Sequence, residues 1–121
     1  MALILVIDDE PAIRKMLRKL FEREGFRVED APDGEVGLQY AQAYRPDLVI
    51  IDLVMPEKEG IETIREMKKA LPDIDIIAMS GGGRSTPEEY LSMAKMLGAT
   101  HTFAKPIETD QLLDVVRQII G

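Results

Sequence analysis

Five short apolar runs alternate along the chain with five longer segments in which apolar residues recur every three or four positions. Short apolar runs are typical of strands, and the longer period is typical of helices with one buried face. The runs predict strands over residues 3–7, 26–29, 48–52, 74–79 and 100–104. The periodic segments predict helices from Pro11 to Gly25, from Gly34 to just before Pro46, from Gly60 to Pro72, from Pro87 to Leu97, and over a last stretch that reaches Ile120.

The third run has no polar residue between Leu48 and Ile51 and leads directly into Asp52. A strand without alternating polar positions is typical of a parallel sheet that helices cover on both faces. The alternation of strands and helices favours the same architecture, with right-handed crossovers. The sequence therefore predicts an α/β fold with a doubly wound, five-stranded parallel sheet and five helices, in a single domain over residues 1–121.

Four of the predicted strands end in polar side chains that a hydrophobic core does not require. These are Asp8, Asp9 and Glu10 after the first strand, Asp52 at the end of the third, Ser80 after the fourth and Lys105 after the fifth. The carboxyl ends of parallel strands lie at one edge of the sheet, which is where open α/β sheets bind ligands. We therefore expect these side chains to converge.

The chemistry of this set points to phosphoryl transfer. Neighbouring carboxylates repel one another by about 4 kcal/mol per pair at 4 Å and an intermediate dielectric, and a divalent cation offsets this repulsion. Oxygen-only ligation suits Mg²⁺ or Mn²⁺. Lys105 adds a compact cation, Ser80 adds a hydroxyl, and Asp52 is the candidate nucleophile. Each residue alone also has a structural interpretation, such as acids that complement a helix dipole, so the hypothesis depends on the whole set.

Composition excludes several other classes of function. The net charge of −7 argues against nucleic acid, whose phosphates are bound by Lys and Arg. Without cysteine there is no disulfide, thiolate metal site or thiol nucleophile. The apolar start lacks a basic flank and runs directly into acidic residues, so it predicts a first strand and not a signal peptide. No run approaches membrane-spanning length, and we expect a soluble cytoplasmic protein.

The same residues resemble the receiver domain of response regulators along the whole chain. The segment 6–11 resembles the acidic start of that family, and the segment 52–56 resembles its phosphoacceptor segment. Gly60 matches the glycine that follows, Ser80 falls at the Ser/Thr switch position, and Lys105-Pro106 matches the Lys-Pro pair. The resemblance implies a flavodoxin-like sheet of order 2-1-3-4-5. It also implies a cis peptide bond before Pro106.

The resemblance further implies a role for each matching residue. Asp52 would accept a phosphoryl group from the phosphohistidine of a sensor histidine kinase or a phosphotransfer protein. The implied metal ligands are Asp9, Asp52 and the backbone carbonyl of Val54, with Asp8 acting through metal-bound water. Lys105 and the Ser80 hydroxyl would contact the phosphoryl oxygens. Such a domain catalyses only its own phosphorylation and dephosphorylation, and it switches the binding of a downstream protein.

One position departs from the family pattern. Many receivers carry Tyr or Phe three residues before the lysine, whereas this chain has Thr102 there. Phe103 is adjacent, but neighbouring strand residues face opposite sides of a sheet, so it cannot simply substitute. An aromatic rotamer switch coupled to Ser80 is therefore not predicted. We expect the signal to travel through the glycine-rich loop after Ser80 and the helix that begins at Pro87.

Two other functions remain open. A phosphatase with an aspartate nucleophile on the first strand would carry a second Asp two positions later, and Glu10 follows Asp9 directly. A receiver used only as a binding module, without phosphorylation, is the non-enzymatic alternative.

The last helix has more apolar residues than one buried face needs, so its excess surface could mark a homodimer face. We expect His101 to be structural and the chain to be a stand-alone receiver.

Overall fold

The computed structural model describes residues 1–53, 60–81 and 87–121. Its strands are β1 (Leu3–Ile7), β2 (Arg27–Ala31), β3 (Leu48–Asp52), β4 (Asp75–Ser80) and β5 (His101–Ala104). Its helices are α1 (Pro11–Arg23), α2 (Gly34–Tyr44), α3 (Gly60–Ala70), α4 (Pro87–Met96) and α5 (Thr109–Ile120). The predicted alternation of strands and helices is confirmed.

The strands form one parallel sheet in the order β2-β1-β3-β4-β5, as predicted. Ile7 at the end of β1 pairs with Ile51 of β3, and Asp52 pairs with Met79 of β4. The last residue of β4, Ser80, pairs with Ala104 of β5. This register brings the carboxyl ends of four adjacent strands to one edge of the sheet.

Two apolar clusters cover the two faces of the sheet, so β3 is buried at all five of its positions. The first core cluster packs one face against α2, α3 and α4, through residues such as Ala41, Ile64 and Ala94. The second core cluster packs the other face against α1 and α5, through residues such as Phe21 and Val116. Burial on both faces explains why β3 shows no polar alternation in the sequence.

Several predicted boundaries were wrong by one or two residues. β2 begins at Arg27 and reaches Ala31, beyond the predicted end at residue 29, because every residue from 27 to 31 pairs with β1. Phe26 lies outside the strand and packs edge-on against Phe21, with ring centroids 6.4 Å apart. β4 and β5 each begin one residue later than predicted, and β4 includes Ser80. Pairing to a neighbouring strand, which local composition does not encode, sets these ends.

The apolar residues of α5 pack onto the domain itself. Leu112, Leu113 and Val116 are buried in the second core cluster. Val115, Ile119 and Ile120 are partly buried against the same cluster. The expected excess of exposed apolar surface is therefore small, and a homodimer through α5 remains a prediction without that support. Among the described residues, no helix combines the length and apolar character needed to cross a membrane.

Candidate functional site

Lys105 joins two carboxylates that are far apart in the sequence. Its Nζ lies 3.3 Å from Oδ2 of Asp8 and 3.4 Å from Oδ2 of Asp52. β1 and β3 are neighbours in the sheet, so Asp8 and Asp52 leave it side by side, and the lysine approaches from the far side of β4. The predicted convergence of these three residues at one edge is observed.

Burial makes these charges interact strongly. Asp8 is fully buried, and Asp52 is 5% exposed. Burial raises the pKa of Asp8 above its usual 3.8, although the Glu10 N–H and the Lys105 ammonium both favour the carboxylate. Burial alone would lower the pKa of Lys105, but the Asp52 and Asp8 carboxylates outweigh it and raise that pKa above 10.5. The neighbouring carboxylates therefore stabilise the Lys105 ammonium, whereas burial opposes the ionisation of Asp8.

The acidic turn after β1 forms a compact oxygen cluster. One carboxylate oxygen from each of Asp8, Asp9 and Glu10 lies within 4.8 Å of the other two. The turn is closed by the Glu10 N–H, which donates to Oδ1 of Asp8 over 2.9 Å. Asp9 and Glu10 are exposed, and Oε1 of Glu10 lies 4.0 Å from Nζ of Lys105. Hard oxygen donors beside a buried carboxylate fit Mg²⁺ or Mn²⁺.

Ser80 and Gly60 lie close to Asp52. Ser80 is fully buried, and its hydroxyl has no hydrogen-bond partner among the residues that the structure describes. Its carbonyl accepts a hydrogen bond of 2.9 Å from the backbone N–H of Lys105, which ties the ends of β4 and β5 together. At Gly60, a Cβ would lie only 2.4 Å from the carbonyl oxygen of Asp52, so the start of α3 needs glycine for this close approach.

The remaining predicted positions divide into three groups. The Lys105–Pro106 peptide bond is cis, as the resemblance implied. Thr102 pairs with Ala78 of the first core cluster, whereas Phe103 packs against the second, so the two side chains lie on opposite faces of the sheet. Val54, whose carbonyl was a predicted metal ligand, and the glycines of the loop after Gly81 lie outside the described residues.

Comparison with known proteins shows which family the chain belongs to. The response regulator receiver domain family matches residues 4–117. The chain belongs to this family. It is a receiver domain of the two-component type, and accepting a phosphoryl group is the function of such domains. A curated relative, sporulation initiation phosphotransferase F of Bacillus subtilis, is 34% identical over 97% of this chain and 92% of its own length.

Solved receiver structures share the fold closely. A receiver domain protein from Clostridium thermocellum superposes with a TM-score of 0.91 at 31% identity, over 99% of this chain and 94% of that one. Response regulator TrrA of Thermotoga maritima, solved in complex with Mg²⁺–BeF, gives a TM-score of 0.87 at 32% identity, over 98% and 99% of the two chains. Several other curated relatives are about twice as long, since this chain covers 49 or 50% of their length.

Arg14 also contacts the site, although the sequence did not single it out. This residue of α1 donates from Nη1 to the backbone carbonyl of Asp8 over 2.7 Å. The apolar periodicity of α1 indicates its buried face and gives no information on its basic residues. An arginine about one turn after an acidic cluster is a common arrangement and does not by itself indicate a contact. The only available signal was proximity, because a helix that starts directly after Asp8, Asp9 and Glu10 must carry its first long basic side chain close to them.

Proposed function

We propose that Asp52 is the phosphoacceptor of this receiver, and that its donor is the phosphohistidine of a sensor histidine kinase or a phosphotransfer protein. The observation that carries the proposal is the ammonium of Lys105, held within 3.4 Å of both Asp8 and Asp52. An ammonium at that distance can neutralise charge on a phosphoryl group attached to Asp52. We also propose that residues 1–121 act as one receiver domain.

The transfer moves a phosphoryl group between two protein side chains. An Oδ atom of Asp52 attacks phosphorus while the P–N bond of the donor breaks, and the electron pair of that bond returns to the donor imidazole. The product is an aspartyl phosphate on Asp52. Lys105 then exchanges part of its contact with Asp52 for a phosphoryl oxygen, and the buried Ser80 hydroxyl is free among the described residues to donate to another. The domain would catalyse only this reaction and its own dephosphorylation, in which water takes the phosphoryl group from Asp52 and inorganic phosphate leaves.

A divalent cation, Mg²⁺ or alternatively Mn²⁺, belongs to the proposal. Asp9 and Asp52 would bind it directly, together with the Val54 carbonyl, while Asp8 would act mainly through metal-bound water. When bound, the cation neutralises the charge that develops on the transferring phosphoryl oxygens. The carboxylate oxygens clustered within 4.8 Å around Asp8, Asp9 and Glu10 support this assignment.

A groove beside the site supports a protein donor. It is lined by Ile13 and Met16 of α1 and by Lys105, Pro106 and Ile107 after β5. Met16 is 40% exposed, which offers apolar surface next to the reacting group. The net charge of −7 makes direct contact with nucleic acid unfavourable, so we propose that output passes to a downstream protein in the cytoplasm.

Mass spectrometry of the intact protein tests the proposal. Incubation with a small phosphodonor and Mg²⁺ should add one phosphoryl group, and a chelator should prevent the addition. Asp52→Asn should abolish the adduct, whereas Asp114→Asn, on the exposed side of α5, should leave it intact. A wild-type protein that gains no adduct would refute the assignment and favour a phosphorylation-independent module. Steady release of inorganic phosphate from small esters would instead favour a phosphatase.

A further inference from the structure

Arg14 is the one side chain from outside the predicted set that bonds to the main chain of the acidic turn, among the residues described. Its Nη1 donates to the Asp8 carbonyl over 2.7 Å. We propose that Arg14 is a positioning residue for the metal site, which fixes the peptide unit between Asp8 and Asp9. This inference rests on the function proposed above, since it assumes that Asp9 binds the cation.

The bond controls where Asp9 points. The carbonyl that accepts from Arg14 belongs to the peptide unit that leads into Asp9, so its direction sets the plane from which the Asp9 side chain leaves. The two sides of this turn are held by other bonds: the Asp8 N–H donates to the Ala31 carbonyl over 3.2 Å, and the Glu10 N–H donates to Oδ1 of Asp8. The Asp8 carbonyl accepts from Arg14, and the charge on the donor makes that bond a strong one.

A second contact holds Arg14 in place. Its Nε lies 4.0 Å from Oδ2 of Asp30 in β2, and its side chain is only 19% exposed. The same Asp30 oxygen lies 3.7 Å from Nε of Arg18, whose Nη1 donates to the Val28 carbonyl over 2.8 Å. The guanidinium of Arg14 is therefore fixed between the edge strand and the acidic turn, which a freely moving surface arginine would not be.

Two explanations of Arg14, one based on its charge and one on its hydrogen bond to Asp8, predict opposite changes in Mg²⁺ affinity when it is removed. An arginine near a metal site repels a cation, so removing it should tighten Mg²⁺ binding if charge alone matters. If Arg14 positions Asp9, removing it should weaken Mg²⁺ binding, because loss of a group that orients a ligand typically lowers metal affinity at least tenfold. The direction of the change therefore separates the two explanations.

The chain provides a matched control. Arg18 lies one turn further along α1, carries the same charge, contacts the same Asp30 oxygen and donates to a backbone carbonyl, but it does not contact Asp8. We would measure the Mg²⁺ dissociation constant by calorimetry, and the amide shifts of Asp9 and Glu10 by NMR, in the Arg14→Met and Arg18→Met variants. Thermal unfolding of each variant records any general loss of stability.

We expect Arg14→Met to raise the Mg²⁺ dissociation constant about tenfold, and to shift the amide resonances of Asp9 and Glu10 before metal is added. Arg18→Met should change neither. Arg14→Lys, which keeps the charge and can still reach the Asp8 carbonyl, should retain most of the affinity. If Arg14→Met does not fold, Arg14→Gln, which is also neutral, carries the same expectation.

An unchanged or tighter Mg²⁺ dissociation constant in Arg14→Met would overturn the inference, as would an equal loss in Arg18→Met. Neither result affects the proposed function as long as the wild-type protein binds Mg²⁺ and is labelled on Asp52. A wild-type protein that does neither would overturn the proposed function, and this inference with it.

Discussion

Replacing Lys105 with methionine tests the electrostatics of the site directly. Methionine has a similar length and no charge, so the change removes the contacts of the ammonium with Asp8, Asp52 and Glu10 but little of the packing. It leaves the fully buried Asp8 and the nearly buried Asp52 without this counter-charge. We expect the free energy of unfolding in Mg²⁺-free buffer at neutral pH to fall by about 2 kcal/mol.

The magnitude follows from three terms. Each contact, at 3.3 and 3.4 Å, contributes a gross attraction of about 5 kcal/mol at an effective dielectric of about 20. Burial of the ammonium offsets much of that attraction, and removal of one partner from a fully buried pair costs about 3–5 kcal/mol. The Lys105 side chain is 18% exposed, so water screens part of the charge and the expected loss lies below that range.

The loss should depend on pH in a defined direction. The pKa of Asp8 already lies above 3.8, so the folded state binds a proton at a higher pH than the unfolded chain does. Without Lys105, the pKa of Asp8 rises further. The stability of the variant should therefore recover as the pH falls through the pKa of Asp8 in the folded variant, because protonation removes the unpaired charge. Added Mg²⁺ should reduce the loss of stability at neutral pH, because a bound cation also neutralises the unpaired carboxylates.

Urea unfolding at neutral and mildly acidic pH, with and without Mg²⁺, is the assay. Lys95→Met, on the exposed surface of α4, is the control for removal of a lysine and should change stability little. In the background of Asp8→Asn, Lys105→Met should cost less than it does in the wild-type protein. A loss that is the same at both pH values and in both backgrounds would refute the electrostatic reasoning.

Three further predictions concern neighbouring groups. Gly60→Ala would bring a Cβ to 2.6 Å from the Cα of Leu53. Urea unfolding should therefore show that the free energy of unfolding falls by about 2 kcal/mol, and phosphorylation of Asp52 should slow. Normal stability would argue against this close approach. Ser80→Ala deletes a buried hydroxyl that lacks a partner among the described residues. The free energy of unfolding, measured with urea, should therefore stay level or rise by about 1 kcal/mol. A clear loss of stability would contradict this expectation. Because the pKa of Lys105 is raised, its stabilisation is present below 10.5 and disappears as the pH rises through the folded value; an alkaline unfolding series should show this loss in the wild-type protein but not in Lys105→Met.

Much of the fold followed from patterns that are local in the sequence. The unbroken apolar run before Asp52 indicated a strand buried on two faces, and glycines and prolines marked most helix ends. Strand ends were less predictable, because Asp30 and Ala31 join β2 through their pairing with Val6 and Ile7 of β1. That pairing is a property of the neighbouring strand.

The candidate site was predictable as a set of residues but not as a network of bonds. Residue types at strand ends indicated that Asp8, Asp52 and Lys105 should meet. Which carboxylates the ammonium contacts depends on the strand order and on burial, and spacing along the chain encodes neither. The bond from Arg14 to the Asp8 carbonyl was missed for a related reason, since a backbone acceptor leaves no trace in the sequence.

The two-sided burial of β3 has a consequence for signalling. Asp52 stands at the end of the most firmly enclosed segment of the described chain, with apolar layers above and below it and paired strands on both flanks. Burial and pairing on both sides hold the backbone of this strand in place. We therefore expect a phosphoryl group on Asp52 to act through the side chains around the end of β3 and not by moving the strand itself.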